Sequence, residues 1–141
     1  MKAKLTTVLS IVMMFTMVLV AAGCGKPTLD EWYNDNRAEL FDKIIESANA
    51  DQNRTTTDIR VEDSNVLLYS VTLLDEFPVD EESYLTMIAT LYESKYEDMQ
   101  AQFTQWLARM QEETKTKNIV IRFTVFNSDG ITVLYSQDFT Q

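Results

Sequence analysis

Apolar residues recur along this chain in three rhythms, and each predicts a different kind of segment. From Val8 to Val20 they form a nearly continuous run, broken only by Ser10 and Thr16. From about residue 29 to 49 they fall mostly at three- and four-residue steps (Trp32, Tyr33, Leu40, Phe41, Ile44, Ile45, Ala48), which predicts one face of an amphipathic helix. Thr28-Leu29-Asp30-Glu31 opens that helix as a capping box, in which the threonine and the glutamate three residues on satisfy each other's free N–H groups. A polar loop, Asn49 to Thr57, then gives way to strict alternation. Ile59 and Val61 against Asp58 and Arg60 predict a strand over 56–62, Asp63-Ser64-Asn65 supplies a turn, and Val66 to Leu74 reads as a more buried strand completing a hairpin.

The same succession follows a second time. Phe77-Pro78 ends the hairpin, and Asp80-Glu81-Glu82 places acids where a helix N-terminus favours them. The helix expected over about 80–114 carries one stripe: Tyr84, Leu85, Ile88, Leu91, Tyr92, Met99, Phe103, Trp106, Leu107 and Met110. The stripe thins between Glu93 and Asp98, where a kink is expected. Lys115-Thr116-Lys117-Asn118 closes the helix with positive charge. Ile119 to Phe126 alternates, Asn127-Ser128-Asp129-Gly130 is a hairpin turn, and Ile131 to Phe139 is the last strand. Leu67-Leu68-Tyr69-Ser70 in the first hairpin parallels Val133-Leu134-Tyr135-Ser136 in the second.

The expected fold is therefore α+β in the order α-β-β-α-β-β: a four-stranded antiparallel sheet with two helices packed on one face. In the third strand Ile119, Ile121, Phe123 and Val125 turn inward and Val120, Arg122, Thr124 and Phe126 outward. In the fourth, Ile131, Val133, Tyr135 and Phe139 point one way, and Thr132, Leu134, Ser136 and Asp138 the other.

The first apolar run has its own chemistry. Lys2 and Lys4 precede it, and Ala21, Ala22 and Gly23 lead from it to Cys24, the one cysteine of the chain. This is the order of a bacterial lipoprotein signal. Residues 1–23 are then a removed leader, 24–27 a lipidated cysteine with a short tether, and 28–141 a single domain. A retained transmembrane anchor and a plain secretory signal are the competing readings. The stretch from Leu5 to Gly23 barely reaches the roughly 20 residues a span requires, and the small residues before Cys24 favour cleavage. Ala21, three positions before the cysteine, stands where leucine is usual. Two acyl chains, each buried CH₂ contributing about 0.8 kcal/mol, make a stable anchor where one does not.

Charge and absences narrow the function classes. Of 12 basic residues two belong to the leader, and the remaining ten face 22 acidic ones. Nucleic acid and anionic headgroups would repel so acidic a domain. The chain contains no histidine, so Ser-His-Asp and Cys-His catalysis and histidine-ligated zinc are excluded. With Cys24 committed to lipid, neither a thiol nucleophile nor a disulfide remains. No glycine-rich phosphate loop is present, and no motif calls for a cofactor. Asp80, Glu81 and Glu82 lack the alternating spacing of a calcium loop and read better as a helix start. Asn53-Arg54-Thr55 matches a glycosylation sequon, a chance match in a bacterial lipoprotein. No pair among the many carboxylates stands out for glycosidic hydrolysis.

The surface left for function is the outer face of the sheet, where Arg60, Val120, Arg122 and Phe126 form the expected binding face. An ordinary solvated face with scattered apolar side chains accounts for the same residues. No catalytic or metal-binding residue is nominated.

Thr28-Leu29-Asp30-Glu31-Trp32-Tyr33 directly after the lipoprotein signal, a mid-chain hydrophobic strand, a long helix and a last strand carrying Tyr135, Ser136 and Phe139 resemble a family of small lipoproteins from Gram-positive, Clostridia-type bacteria, domain of unknown function 4854. The resemblance implies the lipidated Cys24 and an extracytoplasmic position on the outer leaflet of the cell membrane, and no activity. The expected function is a non-enzymatic binding module at the cell envelope, its partners the membrane through Cys24 and an envelope protein or peptide. A small carboxylate-dependent hydrolase and an adaptor subunit of a membrane complex are the alternatives.

Overall fold

The computed structural model describes residues 25–50 and 54–141. The leader, Cys24 and Asn53 of the sequon lie outside the described residues. Among those described, no helix is long and apolar enough to cross a membrane.

Among the described residues eight elements follow one another: α1 (Leu29–Leu40), α2 (Asp42–Ala50), β1 (Thr55–Glu62), β2 (Val66–Leu73), α3 (Glu82–Glu93), α4 (Tyr96–Glu113), β3 (Val120–Phe126) and β4 (Val133–Phe139). The capping box forms as expected. Thr28 N–H donates to Glu31 Oε2 at 2.8 Å, and Glu31 N–H donates to Thr28 Oγ1 at 3.3 Å. The single helix expected over 29–49 is two, bent at Phe41, whose buried ring meets Trp32, Tyr33 and Trp106. The second long helix breaks at Ser94 and Lys95, inside the stretch where its stripe thins. Four helices thus replace the two expected.

The sheet runs β1-β2-β3-β4, with β1/β2 and β3/β4 antiparallel and β2/β3 parallel. The expected all-antiparallel sheet is thereby corrected to a mixed one. The cause is one of direction. A single helical traverse, α3 then α4, carries the chain from the end of β2 back to its beginning, so β3 starts beside Asn65 and runs the same way as β2. Val120 N–H donates to Asn65 O at 2.9 Å, and Asn65 Nδ2 donates to Asn118 O at 2.8 Å. An antiparallel arrangement needs β1 or β4 at the centre instead. Of the apolar residues, β2 buries Val66, Leu67 and Leu68 and β3 buries Ile121, Phe123 and Val125, against Ile59 alone in β1 and Leu134 and Phe139 in β4. The two more apolar strands thus occupy the middle, where both faces are protected.

The inner face of the sheet carries the core. Ile59, Leu67, Ile121, Phe123, Val125 and Phe139 meet Leu29, Phe41, Ile88, Phe103, Leu107 and Met110 from the helices. Helix α2 lies over β1 and α3 over β4. Asn49 of α2 also occupies the free edge of β1: Thr57 N–H donates to its Oδ1 at 2.7 Å, and its Nδ2 donates to Thr57 O at 3.1 Å. That caps backbone groups which an open strand edge would offer to another chain.

A register shift between Val125 and Phe126 alters β4. Val133 opposes Phe126 on the outer face and is exposed, while Leu134 is buried in the core. These two residues exchange the sides that simple alternation assigns them, because a bulge inserts one extra residue on one strand.

The start of the domain is fixed to the end of the helical layer. Lys115 N–H donates to Pro27 O at 2.9 Å, and Leu29 N–H donates to Thr116 Oγ1 at 2.9 Å. Residue 27 thus sits at the end of the molecule where β3 begins. The β1 start, the β2 end and the β3/β4 turn lie at the opposite end.

Candidate functional site

The four residues of the expected binding face do share the outer face of the sheet. Register puts Arg60, Leu68, Arg122 and Asp138 in one row across all four strands, with Val120 opposite Val66 and Phe126 opposite Thr72. Arg122 and Phe126 line one shallow depression of about 530 Å³ with Leu68, Thr124, Val133, Ser136 and Asp138; Arg60 and Val120 stand outside it.

Most polar groups of this face are engaged with one another; Glu62, which also lines the depression, has no partner among the described residues. Arg122 grips Asp138 with two parallel bonds, Nε to Oδ1 at 2.7 Å and a terminal nitrogen to Oδ2 at 2.9 Å. The guanidinium holds the Asp138 carboxyl below its ordinary range, and the carboxylate raises Arg122 in turn. Arg60 pairs with Asp58 at 3.2 Å along its own strand. Thr124 and Ser136 share a hydroxyl contact at 3.1 Å.

A larger concavity, which sequence reasoning missed, lies on the other side of the sheet. It is a cleft of about 820 Å³ where α2 and α3 stand apart. Tyr69 and Val71 of β2 with Phe123 and Val125 of β3 form its floor. Ala48, Thr55 and Thr57 flank one side, and Met87, Ile88, Leu91 and Tyr92 the other. Lys95 and Met99 close the end toward the helix break, while Asp75, Glu76, Phe77 and Arg54 form the rim at the opposite end.

The rings of the floor pack in series. Tyr92 stacks on Tyr135 with centroids 5.4 Å apart and tilts against Phe123 at 5.2 Å, and Tyr69 meets Phe103, Trp106 and Phe123. Burial raises both Tyr69 and Tyr92 above the ordinary tyrosine value, and Tyr92 adds to the shift of Tyr69. Among the described residues no fully buried side-chain polar atom lacks a partner. The hydroxyls of Tyr69 and Tyr92 bond to no protein group there, so they reach the open cleft.

At the rim, Arg54 donates to both carboxylate oxygens of Asp75 and holds it below the ordinary carboxylate range. Arg54 does so from a left-handed backbone, φ 56°, a conformation uncommon for a side chain of this size. A carboxylate kept ionised in this way is in the wrong state to act as a general acid. Glu76 is its sequence neighbour on the rim. Among the described residues no three His, Cys, Asp or Glu side chains gather as a metal site would need.

The signal for this cleft was present in α3. Tyr84 and Leu91, expected in the one core stripe, are instead exposed and form with Met87 a second apolar row beside it, Met87 exposed by 56% and Leu91 by 50%. Apolar rows on two sides of a helix mark a second surface to be covered.

No match was found among curated proteins or among solved structures. The family model described as "Domain of unknown function (DUF4854)" matches residues 29–139, from the first residue of α1 to the last of β4, and the chain belongs to that family.

Proposed function

We propose that this protein is a non-enzymatic binding module of the bacterial cell envelope, held on the outer leaflet of the membrane through a lipidated Cys24, and that it binds in the cleft between α2 and α3. The observation that carries this reading is the cleft: apolar, floored by packed aromatic rings, open to solvent and furnished with two unengaged tyrosine hydroxyls. Its volume falls in the range of roughly 300–1,000 Å³ usual for ligand sites. The outer sheet face is a weaker candidate, since its arginines are already paired.

The anchor suits this use. Three residue steps separate Cys24 from Pro27, at most about 11 Å of extended chain. The cleft rim lies at the other end of the sheet, whose eight-residue strand β2 spans roughly 25 Å. A domain tethered in this way presents the cleft away from the bilayer.

Two measurements test the reading. Cys24→Ser is expected to move the protein from the membrane to the soluble fraction, and continued membrane retention overturns the anchor. A photoreactive side chain at Leu91, in cells, is expected to yield a discrete crosslinked species that the same group at Arg122 does not. Crosslinking at Arg122 and none at Leu91 transfers the site to the sheet face.

A further inference from the structure

The composition of the cleft mouth bears on what enters it. Met87 and Leu91 are exposed on the wall of the cleft. The segment that forms the rim and leads into α3 carries Asp75, Glu76, Asp80, Glu81 and Glu82. Arg54 engages Asp75; among the described residues the other four acids have no cation within ion-pair distance. The cleft lining itself carries the Arg54–Asp75 pair, Glu76 at the rim and Lys95 at the far end, and the acids that follow Glu76 in sequence make the rim end negative. An apolar centre with a charged margin suits a macromolecular partner of opposite charge at that end.

From this we infer that the cleft takes a basic amphipathic peptide segment of a partner protein, its apolar side chains seated on Tyr69, Ile88 and Leu91 and its lysines or arginines over the acidic rim. The inference rests on the cleft being the binding site and adds the class of partner. Charge complementarity carries it. The chain has a net charge of −10, and an anionic lipid or fatty acid approaching the same mouth meets repulsion from the rim before it meets apolar surface. Met87 and Met99 bring flexible thioethers that adapt to the partner's side chains. The hydroxyls of Tyr69 and Tyr92 supply hydrogen bonds where a seated segment meets the floor. The cleft is also polar along its length. Lys95, without an acidic partner among the described residues, stands at the end of α3 opposite the acidic rim. A bound segment therefore places its basic residues at the rim, away from Lys95.

The test uses the full lipidated chain in nanodiscs of neutral phosphatidylcholine, with empty discs as the reference. The probes are a labelled helical Lys/Leu peptide, its Glu/Leu counterpart and oleate. The Lys/Leu peptide is expected to bind saturably above the reference, more weakly as salt rises. Glu76→Lys with Asp80→Lys is expected to weaken it about tenfold, with thermal unfolding unchanged because neither side chain makes a hydrogen bond among the described residues. Leu91→Glu abolishes binding. If oleate or the Glu/Leu peptide binds as tightly, and Leu91→Glu still abolishes it, the basic partner is overturned while the cleft stands. If the Lys/Leu peptide binds Leu91→Glu as well as it binds the parent, the cleft itself is overturned.

Discussion

Asn127 and Phe77 are joined through both ends of one amide. Phe77 N–H donates to Asn127 Oδ1 at 2.8 Å, and Asn127 Nδ2 donates to Phe77 O at 2.9 Å. Asn127 is buried, and its Oδ1 also accepts from Ser128 N–H at 2.9 Å. The start of the β3/β4 turn thereby holds the loop that rims the cleft.

Asn127→Ala removes that clasp and leaves the backbone of Phe77 without its partner. Each lost bond costs about 1 kcal/mol, and a buried orphan more, so a loss of about 2 kcal/mol is expected from urea denaturation. Asn127→Asp keeps the acceptor but cannot donate to Phe77 O, and is expected to fall between the two. Equal stability of all three proteins would count against the clasp.

Phe41→Ala is expected to be the most damaging single truncation tested. The ring is buried and touches Tyr33, Trp32 and Trp106 at the bend between α1 and α2. Removing such a side chain costs about 3–5 kcal/mol, a large part of the roughly 5–15 kcal/mol that holds a domain folded. Thermal unfolding by circular dichroism reads the effect directly. Thr28→Ala, by contrast, is expected to cost about 1 kcal/mol through loss of the cap.

The pH profile of stability should be a plateau with two edges. On the acid side, Thr28 lowers Glu31, Arg54 lowers Asp75, Trp32 lowers Glu113, Thr132 lowers Asp129 and Arg122 lowers Asp138. Depressed folded values mean that this stability is present above the ordinary carboxylate range and is lost as pH falls through it. On the alkaline side, burial raises Tyr33, Tyr69, Tyr92 and Tyr135. Raised values mean that their contribution is present below the ordinary tyrosine value and is lost as pH rises beyond it. The chain contains no histidine, so melting temperature is expected to stay flat between about pH 6 and 8. A step in that interval would contradict this assignment.

Arg122→Ala separates stability from recognition on the sheet face. The Arg122–Asp138 pair is roughly two-fifths exposed, and exposed pairs contribute at most about 1 kcal/mol. A small, salt-sensitive loss of stability is expected, with binding in the cleft unchanged. Loss of cleft binding in this variant would tie the two faces together.

Local chemistry made much of this fold legible beforehand, and long-range geometry hid the rest. Thr28 and Glu31, the Asn127–Gly130 turn and the thinning stripe at Glu93 act within a few residues, so the sequence displays them. The inward set of Ile119, Ile121, Phe123 and Val125 followed from alternation. The parallel β2/β3 seam did not, because strand neighbours depend on which hairpin strands move to the centre. Val133 and Leu134 exchanged faces through a bulge that leaves no mark in their residue types. The cleft was hidden for a related reason. Ile88, Tyr92 and Phe123 read as core residues one by one, and only the gap between α2 and α3 makes them a surface.

The parallel seam between β2 and β3 also governs how the chain reaches this state. Each hairpin closes through neighbours in sequence, Glu62 with Val66 and Phe126 with Val133. The pairing of Val66 with Val120 must wait until the whole excursion from Leu73 to Val120, two helices included, has come back across the sheet. Such distant closures are the slow step of folding. The middle of the sheet, the best protected part of the finished molecule, is thus expected to be the last to join. Substitutions at Leu67 or Ile121, which weaken that closure, should therefore slow folding as well as lower stability.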